Sequence, residues 1–297
     1  AAMGKIGLVI VFAPAIGPTI AGIVLEQLSW HWIFWISAPF LVLSLLVGLR
    51  FVRNVNEVQP VKLDVVSFIL STIGFGGIVY GFSISGELGT FFMPEVMIGI
   101  GVGIVALTLF TMRQLNMEKP MLNLRVLKYP MYVIGLMILI ICMMTILSTM
   151  VLLPIYLQNV LLLVPAIAGL VLLPGGAINA FMSVVSGNLF DKYGPTKMVP
   201  SGLVLVVISL LLLRGIDATT SPYFIIALHI VMFVGISLVM MPAQTNGLNQ
   251  LPRELYADGT AIMNTLQQVA GAIGTAIAVT IMSITASGAV EPTQGMI

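Results

Sequence analysis

The fold class this sequence predicts is an all-α polytopic membrane protein, and three observations predict it. Hydrophobic residues make up 59% of the 297 residues and charged ones 8%, against roughly 25% charged in a soluble domain. The few charges cluster, and the gaps between them are long enough for one helix, or two, to cross a bilayer. Lysines and arginines then fall almost entirely on one side of the spans so defined. A net charge of +1 argues against a nucleic-acid partner. The single cysteine, Cys142, excludes an intramolecular disulfide. No metal-ligand spacing, phosphate loop, nucleophile–base pair or cofactor motif occurs, so neither an enzyme nor a metal or cofactor site is expected.

A charge at the bilayer centre costs about 3 kcal/mol or more, so charge-free intervals delimit the spans. The first covers residues 6–25, inside the 20-residue gap between Lys5 and Glu26. The second covers 32–49, the third 65–85 and the fourth 96–112. Lys128 and Asp191 enclose 62 uncharged residues, too many for one span and right for two. A break near Gln158-Asn159 and Pro165 makes the fifth span 131–153 and the sixth 166–189. The seventh covers 198–213, the eighth 223–241 and the ninth 261–284. Gly74-Phe-Gly76-Gly77 lies within the third span, without the strand–helix context of a dinucleotide fingerprint, and reads as helix packing.

Nine spans place Lys5, Arg50, Arg53, Lys62, Arg113, Lys119, Arg125, Lys128, Lys192, Lys197 and Arg253 on one side and only Arg214 on the other. That side is expected to be cytoplasmic, with the N-terminal end inside and the C-terminal end outside. Trp30, Trp32 and Trp35 cluster at the first outer loop, where an aromatic belt accounts for them. The chain has no initiator methionine and stops in a loop; it reads as an internal stretch of a longer protein.

The first span carries small residues at Ala13, Gly17 and Ala21, four apart and therefore on one helical face. Such a stripe lets another backbone approach closely in lipid, and Pro14 and Pro18 each remove a backbone donor and kink the helix. Gly4, Ala13, Gly17, Pro18, Ala21 and Gly22 resemble the antiporter motif on the fifth span of drug:proton antiporters of the major facilitator superfamily, with alanine where the family carries glycine at Ala13 and Ala21. By themselves they also fit any small-residue helix interface.

The loop after the sixth span, Gly187-Asn-Leu189-Phe-Asp191-Lys192-Tyr-Gly194-Pro-Thr-Lys197, is similar to the superfamily's cytoplasmic loop between the second and third spans of each half. Gly194 permits a tight turn, and Asp191, Lys192 and Lys197 put both signs of charge at helix ends, suited to a contact that forms in one state and breaks in another. A solvated turn with positive-inside lysines is the plainer account. Pro195-Thr196 departs from the family's basic pattern.

In this register the chain resembles spans five to thirteen of the fourteen-span antiporters of the EmrB/QacA type. The resemblance implies a partial superfamily helical bundle. Residues 1–53 would form the last two spans of the N-terminal half, 54–128 two linker spans, and 129–297 the first five spans of the C-terminal half. Asn264 to Gly274 resembles the group's thirteenth span and is the repeat partner of the first span here.

No Asp or Glu occupies the centre of any span, and the resemblance puts the family's proton-carrying carboxylates in spans outside this chain. His229, midway along the eighth span, can relay a proton or serve as hydrogen-bonded packing. Asp258, entering the ninth, fits either a functional carboxylate or a helix-start charge. The superfamily lines its cavity with the first, fourth and fifth spans of each half, which here implies Thr145, Thr149, His229, Phe233, Asn264 and Gln268. Polar residues on these faces equally suit hydrogen bonds between helices. Nineteen methionines suit a promiscuous wall or lipid-facing filler.

The resemblance implies a multidrug exporter of the bacterial cytoplasmic membrane, exchanging small lipophilic or amphipathic drugs for protons by alternating access, with this chain insufficient for transport alone. A facilitator importing a polar metabolite and a non-transporting membrane scaffold are the alternatives.

Overall fold

Where they are described, the charge-free intervals fold as helices. The computed structural model describes residues 16–17, 19–51, 64–118 and 120–290. Residues 19–27 form α1, followed by α2 (His31–Phe51), α3 (Val65–Leu88), α4 (Pro94–Asn116), α5 (Pro130–Asn159), α6 (Pro165–Tyr193), α7 (Pro195–Leu213), α8 (Pro222–Leu248) and α9 (Tyr256–Val290). Among the described residues there is no strand, and eight stretches are long and apolar enough to cross a membrane. These are the expected second to ninth spans. Gly4, Ala13 and Pro18 lie outside the described residues.

Several helices run further than the apolar intervals, for a local reason. Helices α4 to α8 each begin on a proline, whose missing N–H is one that a first-turn residue does not use and whose φ is already helical. Helix α9 starts five residues before its apolar interval. Its first turn carries Asp258, favourable at the positive end of the helix dipole.

The fold divides into two compact units. The first gathers residues 1–62, 154–185 and 203–237. Within it α1 packs on the start of α6. Thr19 Oγ1 donates to the Gly169 carbonyl at 2.9 Å, and Gly22 lies so close to the Pro165 carbonyl that a Cβ would collide with it. Tyr156, near the end of α5, donates to the Asp217 carbonyl at 2.6 Å. The Asp217 carboxylate accepts from the Thr219 and Thr220 hydroxyls and the Thr219 amide, which hold it below its ordinary pKa.

The second unit gathers residues 63–153, 186–202 and 238–297. Helices α3 and α4 form a hairpin whose turn uses Gly89 at φ +63°. Their shared face is glycine: Gly74, Gly77 and Gly81 meet Gly99 and Gly103, and a Cβ on Gly103 would stand 2.6 Å from the Ile78 amide nitrogen and 2.8 Å from the Gly74 carbonyl. The expectation of helix packing for this glycine run is met. At the far end Arg113 grips Asp64 through Nε at 2.8 Å and one terminal nitrogen at 3.0 Å. The guanidinium, with the Ser67 hydroxyl, holds the Asp64 carboxyl well below the usual carboxylate range. Gln114 donates to Ser67 at 2.6 Å and accepts from the Leu122 amide at 3.0 Å.

Helix α9 joins this hairpin through α3 and meets the segment after α4 at its own start. Ser85 and Thr280, both fully buried, pair at 3.2 Å, and Asp258 accepts from the Asn123 amide at 3.2 Å. The core beneath is built on Tyr132, Leu136, Leu139, Ala243, Leu248, Ile262 and Met263, with the Tyr132 hydroxyl donating to the Gly259 carbonyl at 2.8 Å.

Candidate functional site

The six residues expected to line a cavity divide between the units. His229 and Phe233 belong to the first, and Thr145, Thr149, Asn264 and Gln268 to the second. His229 and Phe233, one helical turn apart on α8, are both buried and meet edge to face, ring centroids 4.8 Å apart. The imidazole donates a hydrogen bond to the backbone of Leu172 on α6, while Nδ1 has no partner among the described residues. Opposite Nδ1 stands Gly175, where any Cβ would collide with the ring. One further turn along α8, Ser237 donates to the Asn179 side-chain oxygen at 2.7 Å. α6 and α8 are thus joined by polar contacts at two levels, on either side of Pro174-Gly175-Gly176.

In the second unit α9 lies against α5 through glycines. A Cβ on Gly274 would stand 2.7 Å from the Met144 Cα, and one on Gly271 would strike the Leu147 side chain. Thr145 spends its hydroxyl on the Ile141 carbonyl of its own helix at 2.9 Å. Thr149 is buried, whereas Asn264 and Gln268 are exposed. The buried glutamine is their neighbour Gln267, whose Nε2 has no hydrogen-bond partner among the described residues. Gln267 lies one position, about 100° around the helix, from the expected Gln268. The spacing of Met263, Gln267, Ala270 and Gly274, all buried, is the signal that would have found it.

The two motif regions are placed unequally. Of the antiporter-like residues, Gly22 carries the close contact with α6, Ala21 is half-buried, and Gly17 is exposed with open space where a Cβ would be. The packed face of α1 in the described residues is therefore that of Thr19 and Gly22. In the loop, Gly194 adopts φ +70° and its amide donates to the Phe190 carbonyl at 2.9 Å. That left-handed residue ends α6 immediately before Pro195 opens α7. Gly187 packs near Met241 and Leu189 is half-buried. Asp191, Lys192 and Lys197 are exposed. The Lys192 ammonium sits 5.2 Å from the Tyr193 ring centroid, and among the described residues the one ion pair is Asp64 with Arg113. Asp258 lies in the first turn of α9 and accepts from the Asn123 amide.

A bundle of long apolar helices, packed through glycines and joined by a few buried polar pairs, defines a multi-pass membrane protein. The chain belongs to the major facilitator superfamily, which it matches over residues 1–275. It is 60% identical over 284 residues to a lincomycin resistance protein, LmrB, of Bacillus subtilis, covering 95% of this chain and 59% of that protein. The LmrB of Listeria monocytogenes is 58% identical over 295 residues, covering 99% and 62%. The multidrug export protein EmrB of Escherichia coli is 27% identical over 279 residues, covering 91% and 53%. The chain thus spans about three fifths of the length of the curated LmrB relatives.

Proposed function

We propose that this chain belongs to a drug:proton antiporter of the bacterial cytoplasmic membrane that exports lincosamide-like and other amphipathic drugs. The observation that carries this reading is identity of 58–60% with lincomycin resistance proteins along nearly the whole chain. In this reading residues 1–53 close the N-terminal half, 54–128 are linker spans and 129–297 open the C-terminal half. The basic loops face the cytoplasm, the N-terminal end lies inside and the C-terminal end outside. Thr145, Thr149, His229, Phe233, Asn264 and Gln268 line the drug path. Gly22 seats α1 on α6, and Gly187, Leu189, Asp191, Lys192, Gly194 and Lys197 form the cytoplasmic gate. The helix contacts through glycine support such a machine, because backbones at van der Waals distance slide and rock with little side-chain rearrangement.

The test is drug accumulation. Cells of a lincomycin-sensitive host expressing the protein that carries this chain should hold less labelled lincomycin than control cells, and a protonophore should abolish the difference. Equal accumulation, with membrane insertion verified, would overturn the reading.

A further inference from the structure

His229 is buried with one ring nitrogen unpartnered among the described residues. Its side chain is 4% exposed. One ring nitrogen hydrogen-bonds the Leu172 backbone, and since Nδ1 is the nitrogen without a partner, the bond belongs to Nε2–H. The neutral tautomer so defined leaves a bare lone pair on Nδ1, and that lone pair faces Gly175, close enough to exclude a Cβ there. A proton added to Nδ1 would make it a charged donor aimed at a methylene that accepts nothing. A buried, charged and unpaired donor is strongly disfavoured.

The groups that the structure sets against the ring are the Leu172 backbone, Gly175 and Phe233, none of them titratable. Helix α8 contains no Asp, Glu, Lys or Arg, and its other titratable side chain is Tyr223. The charged residues of α6, Asp191 and Lys192, stand at the opposite end from its start, sixteen residues or more beyond Gly175. Helix α1, seated on α6 at Gly169, contributes Glu26. With no carboxylate in contact with the ring among the described residues, relief comes from motion. Pro174, beside Gly175, lacks the N–H that would hold the Leu170 carbonyl, so α6 is softest at this level.

Resting on the antiporter reading, we infer that Nδ1 of His229 is a proton acceptor of the transport cycle, and that its protonation holds α6 apart from α8 at Gly175. A proton from the proton-rich aqueous side adds to the Nδ1 lone pair, giving the imidazolium, once the helices separate and water reaches the ring. Loss of that proton to the proton-poor side restores the neutral ring, on which Gly175 closes again. Gly175 is the positioning residue of this device.

The experiment uses proteoliposomes holding the protein that carries this chain, with lincomycin as probe. His229→Gln keeps an N–H able to reach the Leu172 carbonyl but takes no proton. It should lose uptake driven by a pH gradient, whatever it keeps of equilibrium counterflow, which needs no net proton movement. Gradient-driven uptake at the wild-type level in His229→Gln would overturn the inference and leave the antiporter reading standing. Absence of gradient-driven uptake in the wild type would overturn both. Where His229→Gln loses both activities, nitrogen-15 spectra of a variant keeping His229 as its sole histidine decide. Nδ1 bare at neutral pH and protonated on acidification upholds the inference. A ring that stays neutral until the protein unfolds refutes it.

Discussion

Helices α2 and α8 are both long, apolar and interrupted by one proline, yet only α8 is packed within the described residues. No residue of α2 is buried, whereas half of the apolar window of α8 is. Apolarity does not separate them, because a leucine gains almost nothing by exchanging lipid for protein. Among the described residues, the contacts that bury α8 run through small and polar residues. In α8, Gly247 lets Met263 and Tyr132 come close, Ser237 binds Asn179 and His229 fits against Gly175. In α2 the one glycine, Gly48, faces open space, and its Ser37 bonds its own backbone.

Four experiments break or sharpen this contrast. The largest effect should come from bulk added where backbones touch. Gly103→Leu should cost about 3 kcal/mol or more, read as a lowered unfolding temperature in detergent, while Gly48→Leu stays within about 0.5 kcal/mol. A cavity comes next: Met232→Ala in α8, fully buried, should cost about 2 kcal/mol or more, and Phe40→Ala, exposed on α2, almost nothing. Third, Gly22→Leu should cost about 2 kcal/mol and Gly17→Leu little. Equal losses at these two positions would return the packed face of α1 to the stripe of Ala13, Gly17 and Ala21.

The smallest effect concerns charge. The folded state holds the Asp64 carboxyl below its ordinary value, so its pairing with Arg113 stabilises the fold fully above the unfolded pKa near 3.9. That contribution fades as pH falls below it. Asp64→Asn should therefore lower the unfolding temperature at neutral pH, and the deficit should shrink in acid. Asp191→Asn, which removes no ion pair, should leave it unchanged at both. A deficit for Asp191→Asn as large as that for Asp64→Asn would mean that the loop carboxylate is anchored after all.

The helices were legible in the sequence because lipid leaves one solution for each uncharged interval: every backbone N–H must bond within its own segment. Their starts were less so, since prolines such as Pro130 and Pro222 end an apolar pattern to the eye while opening a helix. The site was legible in part. His229 is buried as a lone intramembrane imidazole should be. Its significance, however, lies in Gly175, fifty-four residues earlier, and no periodicity within α6 or α8 joins those two positions. Gln267 and Gln268 are chemically identical in sequence, and only the rotational phase set by Gly271 and Gly274 against α5 distinguishes them.

The glycine-faced hairpin of α3 and α4 also bears on how the molecule is made. Its two helices are neighbours in the chain, joined by a five-residue turn from Gly89 to Met93, so their contacts close a short loop and can form as soon as both have left the ribosome. The pair arrives in the bilayer as a finished piece. Its bond to α9, Ser85 with Thr280, joins residues 195 positions apart and must wait until the ninth helix is synthesised. During that interval the Ser85 hydroxyl can rely on the Phe82 carbonyl, with which it also bonds at 2.6 Å. The serine is thus provided with a temporary partner in its own helix, and the nascent hairpin can wait in lipid without an unpaired hydroxyl.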